Sequence, residues 1–191
     1  KRLGLMDALS RGEVPVLIAT VEALMQPTLS PDTLESCRLT LSMGGVAELN
    51  DLTEALARAG YTRCHQVEGV GQFALRGGIL DVFAPGWEQP VRVAFFGDEV
   101  DAMGRFVRST QRRTENIDSV LLLPASEVLP RMAPGGLPAL ADKLKKLAAK
   151  ATSNGLKDLA ATLEHDREAL ATGRTFPAMD RYLALIYPQM A

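Results

Sequence analysis

The sequence predicts a mixed α/β (α+β) fold in which a small antiparallel-sheet domain is inserted into an α/β domain. From Tyr61 to Phe106 the hydrophobic residues recur with a period of two, which is typical of half-buried strands. On either side the period is helical, and short apolar runs with the composition of buried strands lie between the helices. These changes of period predict that residues 39–117 form the sheet domain, and that residues 1–38 and 118–191 form the two parts of the α/β domain.

The first part of the α/β domain contains one predicted strand and two short helices. Residues 16–19 (Val-Leu-Ile-Ala) are apolar and partly β-branched, which predicts a buried strand. Thr20 is placed to cap the helix that follows, and Ser30-Pro31 is a typical start of a second helix, with proline at the first helical position. Another strand is expected at residues 39–41.

Four strands are expected in the sheet domain, at residues 72–76, 79–83, 91–96 and 100–106, after a helix that ends at Gly60. Glycine-containing turns separate these strands. Gly97-Asp98 is a two-residue hairpin turn with glycine where type II′ geometry requires it. The polar residues that follow are expected to connect this sheet to a strand at residues 120–123.

Two helices are expected at the end of the chain, because leucines recur there at helical spacing on either side of Ser153-Asn154-Gly155. Each leucine stripe predicts the buried side of its helix. The stripes are Leu137, Leu140, Leu144 and Leu147 in the first helix, which Pro138 opens, and Leu156, Leu159, Leu163 and Leu170 in the second.

The composition is that of a globular protein, with 47% hydrophobic and 23% charged residues and a formal net charge of -2. This balance excludes a disordered tail and a strongly basic nucleic-acid binder, although it allows a local basic patch. Two cysteines fit a reducing cytosol better than a disulfide framework, and no apolar run has the length of a membrane span. The chain starts at Lys1 without a signal peptide, so we expect a monomeric fragment of a longer cytoplasmic protein.

The sequence predicts no catalytic residues, no cofactor and no metal site. Residues 69–74 match a dinucleotide fingerprint, but a strand-like alternation follows them where that fingerprint needs a helix. No phosphate-binding loop of the form G-x-x-x-x-G-K-S/T occurs, so we expect no ATP binding by this chain. The cysteines and histidines lack the spacing of zinc ligands. The carboxylates of Asp98, Glu99 and Asp101 fit a hairpin turn better than a metal site.

The third predicted strand carries an arginine and a phenylalanine on its outward face. Alternation places its two valines and Phe95 on the core face, so Arg92, Ala94 and Phe96 share the opposite face. The same alternation turns Arg76 outward on the first strand. Arginines beside an exposed aromatic residue have the composition of a protein-binding hot spot. The alternative is that helices cover this face and that Phe96 belongs to the core.

Four stretches of these residues form a recognisable pattern: residues 71–83 (GQFALRGGILDVF), 90–101 (PVRVAFFGDEVD), 109–112 (STQR) and 123–127 (LPASE). Together they resemble the amino-terminal, UvrB-like module of bacterial transcription-repair coupling factors. UvrB, the excision-repair helicase, shares the arginine-glycine strand and the phenylalanine pair. The Gln-Phe-Ala start, the Gly-Ile-Leu-Asp strand and the Thr-Gln-Arg tail favour the coupling factors. Two positions depart from the pattern, since Ala94 stands where the family has an acid and Arg105 is shifted by one residue.

The resemblance implies a parent protein that recognises stalled RNA polymerase, displaces it by ATP-driven translocation on double-stranded DNA, and recruits UvrA. The motor and polymerase-binding domains are absent from this sequence. What remains is similar to the UvrA-binding domain inserted into a degenerate helicase-like domain, which implies a docking module that is not itself an enzyme. In that family two arginines and a phenylalanine contact UvrA, and they match Arg76, Arg92 and Phe96.

Two other functions are compatible with parts of the sequence. A DNA-contacting domain of a UvrB-type excision-repair protein would use four arginines and a lysine-rich helix: Arg105, Arg108, Arg112, Arg113, Lys143, Lys145, Lys146 and Lys150. The lysine-rich helix also fits a solvated face opposite a leucine stripe, and it has no aromatic residues on which bases could stack. A nucleotide-binding domain is disfavoured by the missing phosphate loop.

Overall fold

The computed structural model describes residues 2–14, 16–26, 28–173 and 176–188, and it contains both helices and β-sheets, as the sequence predicts. The chain forms two compact units, Lys1–Glu127 and Val128–Ala191. The division of the chain at residues 38 and 117 stays a prediction. The helices and strands of the first unit are α1 (Arg2–Ser10), α2 (Val21–Met25), α3 (Pro31–Ser36), β1 (Leu39–Ser42), α4 (Leu49–Arg58), β2 (Thr62–Arg63), β3 (Gln72–Arg76), β4 (Ile79–Phe83), β5 (Val91–Phe96), β6 (Glu99–Phe106), β7 (Arg113–Asn116) and β8 (Ser119–Leu122).

Strands β2 to β7 form one six-stranded sheet in sequence order, and β1 pairs with β8 in a separate two-stranded sheet. Neighbouring strands run antiparallel, except that β2 pairs with β3 in parallel. The four predicted strands thus pair antiparallel as expected, and β2, which the sequence did not predict, adds a parallel edge. Strand β7 was expected to be a polar connection, because all four of its residues are polar. In the structure all four are exposed. An edge strand needs only one hydrogen-bonding neighbour, and β6 provides it.

The central strands follow the predicted period of two. Strands β3, β4 and β5 have the predicted bounds, and β6 begins one residue earlier. Gly97 has a φ of 62°, which suits a glycine at the first position of the two-residue turn between β5 and β6. One face of these strands is core, with Phe73, Leu80, Val82, Val91, Val93 and Met103 all buried.

Residues 16–19 do not form the predicted strand. They have neither helical nor strand structure, and Ile18 is 93% exposed. Their composition suits a buried strand, but a strand forms only where a neighbour offers hydrogen bonds, and within the described residues no strand pairs with this segment. The two helix starts nearby are as predicted. The Thr20 and Ser30 hydroxyls each accept a hydrogen bond from the backbone amide three residues later.

The second unit is built on two helices that pack against each other, α5 (Gly136–Ser153) and α6 (Lys157–Ala171), followed by the short α7 (Leu183–Ile186). The leucine stripes were predicted too broadly. Alanines fill part of the inner faces, so leucines at the margins of the stripes lie on the surface. Buried residues include Leu140, Leu144, Ala148, Ala151, Ala160, Leu163 and Leu170, whereas Leu147, Leu156 and Leu159 are exposed. Among the described helices, none is long and apolar enough to cross a membrane.

Tyr61 is a buried residue that joins the loop after α4 to the chain following β8. Its hydroxyl donates a hydrogen bond of 2.6 Å to the Leu123 carbonyl, and burial raises the pKa of Tyr61 above its ordinary value of 10.0. Below about pH 10 the phenol keeps its proton in the folded and the unfolded state. At higher pH only the unfolded state loses this proton, so the stability of the folded state decreases as the pH rises.

Replacing Tyr61 by phenylalanine should therefore cost less stability in alkaline solution. At about pH 9 we expect the variant to lose about 1 kcal/mol of unfolding free energy, because it lacks the hydrogen bond to Leu123. At about pH 11 the difference should shift by about 1.4 kcal/mol in favour of the variant, which then becomes slightly more stable than the wild type, because ionisation of this side chain stabilises only the wild-type unfolded state. Urea unfolding of both proteins at the two pH values measures the difference. A loss that is equal at both would contradict the prediction.

Candidate protein-docking site

The arrangement of β3, β4 and β5 brings Arg76 and Arg92 to one face of the sheet. Strand β4 lies between β3 and β5. Its residue Asp81 is paired with Arg92 of β5, and its residue Ile79 is paired with Arg76 of β3. Directly opposed residues in antiparallel strands point to the same face, and residues two apart on one strand share a face. Both arginines therefore lie on the face that carries Asp81.

Asp81 is the common partner of the two arginines. Arg92 donates a bidentate pair of hydrogen bonds, with Nε 2.6 Å from Oδ1 and Nη2 2.8 Å from Oδ2. Nη2 of Arg76 donates to the same Oδ2 at 2.8 Å. The carboxylate is 1% exposed, whereas the side chains of Arg76 and Arg92 are 49% and 25% exposed. Two positive charges on one buried negative charge leave the cluster with an excess positive charge that faces solvent.

Arg92 is held in place by further contacts. Its Nη2 also donates to the Gln111 side-chain oxygen at 2.8 Å, and its Cζ lies 4.5 Å from the centre of the Phe106 ring. The hydrogen bond to Asp81 raises the pKa of Arg92 in spite of its partial burial. Gln111 reaches this position from a turn in which its φ is 57°, and its side-chain amide donates to the Arg108 carbonyl. The guanidinium group is thus fixed on several sides before any partner binds.

Hydrogen-bond donors remain available on this cluster. Throughout the described ranges, Nη1 of Arg76 and Nη1 of Arg92 donate to no acceptor. Both side chains reach solvent, so these groups can bind carboxylates of another protein. The carboxylate of Asp81 orients the arginines without neutralising both of them.

Phe96 lies at the end of β5 on the same face as Arg92, and it is 83% exposed. The described part of the chain therefore does not cover this face at Phe96. On the opposite face Val91 and Val93 are fully buried, while Phe95 is only partly buried beside the turn at Gly78. The geometry thus brings the three residues Arg76, Arg92 and Phe96 to one surface. Their role in binding stays a prediction.

Sequence reasoning used Asp81 and Gln111 only as parts of the family pattern and predicted no role at the site for either residue. Asp81 is an acid in the middle of an otherwise apolar strand, Ile-Leu-Asp-Val-Phe, and it lies on the face that the two arginines share. That position was a usable signal, because a buried carboxylate needs positively charged partners on neighbouring strands. Gln111 gave no such signal, because it reaches Arg92 from a loop whose path the local sequence does not specify.

Three of the four arginines that a DNA-binding surface would need have side-chain partners inside the first unit. Arg105 pairs with Glu115 at 3.4 Å, and Arg108 donates to the Glu68 carbonyl and lies over the Phe83 ring. Arg113 donates to the side chain of Asn116, while Arg112 is exposed. Arg105, Arg108 and Arg113 are thus engaged in separate local interactions. Within the described chain, no group of three His, Cys, Asp or Glu residues could hold a metal ion.

Comparison with known proteins assigns the family. A family model described as the UvrB interaction domain matches residues 39–128. The transcription-repair-coupling factor of Bacillus subtilis is 31% identical over 197 residues, an alignment that covers the whole of this chain. The chain belongs to the transcription-repair-coupling factor family. Its resemblance to the coupling factors is thereby confirmed.

Other relatives show how much of a coupling factor this chain represents. The Escherichia coli transcription-repair-coupling factor is 36% identical over 126 residues, which is 66% of this chain. The UvrABC system protein B of Thermotoga neapolitana is 32% identical over 112 residues, which is 59% of this chain. The chain spans 16% of the Bacillus subtilis coupling factor and 11% of the Escherichia coli one.

Proposed function

We propose that this chain is a docking module that binds UvrA and so recruits nucleotide excision repair to RNA polymerase stalled on DNA. The observation that carries this proposal is the pair of arginines held on the buried Asp81, with the exposed Phe96 on the same face. Support comes from the match to the UvrB interaction domain and from similarity to a protein named as a component of the UvrABC system. A surface common to coupling factors and protein B would meet the same partner.

The chemistry of the surface fits a protein partner. The forked guanidinium donors of Arg76 and Arg92 suit carboxylates, and their geometry is fixed in advance by Asp81. Phe96 offers a large apolar side chain that gains free energy when a partner removes it from water. Fixed donors and a rigid aromatic ring lose little conformational freedom on binding, which favours affinity.

The remaining activities of a coupling factor are assigned to other parts of the parent protein. We propose that residues 39–117 are the docking domain, and that residues 1–38 and 118–191 form a helicase-like domain around it. ATP-driven translocation on double-stranded DNA and the contact with RNA polymerase belong to the parent, which acts in the cytoplasm. This chain serves as a monomeric, non-enzymatic binding surface for UvrA.

Calorimetric titration of the chain with UvrA in the absence of DNA tests the proposal. We expect saturable binding that weakens only modestly between roughly 50 and 200 mM salt, because a partly buried interface is screened less than exposed charges. If the four arginines named above instead bound DNA phosphates, DNA affinity would decrease about a hundredfold over that salt range. Absence of UvrA binding, together with such salt-sensitive DNA binding, would refute UvrA docking and favour the DNA-contacting function.

A further inference from the structure

The exposed face at Phe96 continues across the sheet to a residue outside the named strands. Phe96 is paired with Glu99 across the β5–β6 turn, and Glu99 forms an isolated bridge with Val46 on its other side. Two backbone hydrogen bonds flank this bridge, from the Ala47 amide to the Asp98 carbonyl and from the Val100 amide to the Gly45 carbonyl. In this type of antiparallel pair the side chains lie close together on the same face. Phe96, Glu99 and Val46 therefore form one row.

Both ends of this row are apolar and open to solvent. Val46 is 79% exposed and Phe96 is 83% exposed, and Ile79 is also exposed on the same face beside Arg76. Val100, the residue after Glu99, is buried, as alternation requires for a side chain on the opposite face. Two neighbouring strands are separated by about 4.8 Å, so Val46 lies roughly 10 Å from Phe96 across Glu99.

The segment that carries Val46 is held firmly against β6. Besides the two hydrogen bonds that flank the bridge, the Gly44 amide donates to the Val100 carbonyl at 2.9 Å. The segment is therefore an ordered continuation of the sheet surface, and little conformational freedom would be lost if a partner covered it.

From this geometry we infer that the UvrA-docking surface extends beyond Phe96, across Glu99, to Val46. The inference rests on the proposed function and specifies the chemistry of the partner. UvrA presents carboxylates to the arginine pair, apolar side chains to Phe96 and Val46, and a positively charged or amide donor to Glu99. The donor is required because the Glu99 carboxylate would be covered together with its two apolar neighbours, and an unpaired buried carboxylate is strongly unfavourable.

Replacing Val46 by serine tests the extent of the surface. Because Val46 is exposed, the variant should keep the melting temperature of the wild-type chain. Calorimetric titration with UvrA should show a loss of affinity of about fivefold to tenfold. Val46 is exposed in the free chain and would be buried in the complex, and serine has less apolar surface to bury there. Val70→Ser is the matched control, since Val70 is also an exposed valine but precedes β3 at the end opposite to Arg76. This control should bind UvrA like the wild-type chain.

The outcomes separate this inference from the proposed function. If Val46→Ser binds UvrA as tightly as the wild type, or if Val70→Ser weakens binding equally, the surface does not extend specifically to Val46. UvrA docking itself would still stand if Phe96→Ala and Arg92→Ala bind more weakly. If neither of those two variants changes the affinity, the proposed site fails, whatever Val46 does.

Reversing the charge at Glu99 tests the chemistry of the partner. If UvrA presents a donor or a positive charge at this position, Glu99→Lys should lower the affinity more than tenfold, since like charges brought together at an interface cost several kcal/mol. An unchanged or increased affinity would show that no such group faces Glu99, and would overturn the assigned partner chemistry. The side chain is exposed, so the fold of the variant can be verified by its unfolding curve.

Discussion

Replacing Phe96 by alanine should weaken UvrA binding about thirtyfold, because truncation of a central aromatic anchor typically costs ~2 kcal/mol or more. The side chain lies on the same face of the sheet as the arginine cluster and is almost fully exposed in the chain alone. Its removal therefore takes apolar area from an interface without taking any from the core. We expect the melting temperature to stay nearly unchanged and the titration with UvrA to show the whole effect.

Val93→Ala is the control on the same strand. Val93 lies on the opposite face of β5 and is fully buried. Its truncation should lower the unfolding free energy by about 2 kcal/mol, and the melting temperature by about 5 °C. UvrA affinity, measured where the variant is folded, should stay within about twofold of the wild type. If Phe96→Ala instead unfolds the chain, or binds UvrA normally, Phe96 is not a docking residue.

Local sequence patterns predicted the strands and the outward residues well, because alternation is a property of a single strand. The bounds of β3, β4 and β5 and the face on which Phe96 lies follow from a period of two and from the glycine turn at Gly97, whereas the exposure of Phe96 depends on whether other elements cover that face. The same reasoning failed at residues 16–19. The composition of a segment indicates whether it is suited to a strand. Whether a neighbouring strand is present to form hydrogen bonds with it depends on the fold of the whole chain.

The role of Asp81 in the candidate site follows from contacts between residues that are distant in sequence. Asp81 contacts Arg92 because β4 pairs with β5 in one register, and a shift by one residue would turn Asp81 to the opposite face from that arginine. Val46 joins the surface through a single bridge to Glu99 that no periodicity indicates. Sequence alternation therefore identified which arginines point outward, but only the strand register shows what holds them together.

Replacing Asp81 by alanine should affect both stability and UvrA binding. The substitution removes three charge-assisted hydrogen bonds and leaves Arg92 with Gln111 and Phe106 as its remaining contacts. Breaking a fully buried ion pair typically costs 3–5 kcal/mol, and here both arginines can turn toward solvent, so we expect a loss of about 2 kcal/mol of unfolding free energy. Urea unfolding measures this loss.

The effect of the same substitution on binding follows from the orientation of the arginines. Without Asp81 the guanidinium groups are free to adopt many conformations, and UvrA must then fix them at an entropic cost. We expect UvrA affinity to decrease about tenfold at a temperature where the variant is folded. Asp81→Asn is the matched variant, because it keeps the shape and one acceptor oxygen, so it should lose less in both measurements.

A double-mutant cycle distinguishes positioning of the arginines from a general effect on the fold. If Asp81 acts on UvrA binding through Arg92, the Asp81→Ala substitution should cost clearly less affinity in a chain that already carries Arg92→Ala. The remaining cost would come from Arg76, the other side chain that Asp81 holds. If the two losses simply add, Asp81 influences binding independently of Arg92. If Asp81→Ala leaves UvrA affinity unchanged, the carboxylate stabilises the sheet but does not prepare the arginines for the partner.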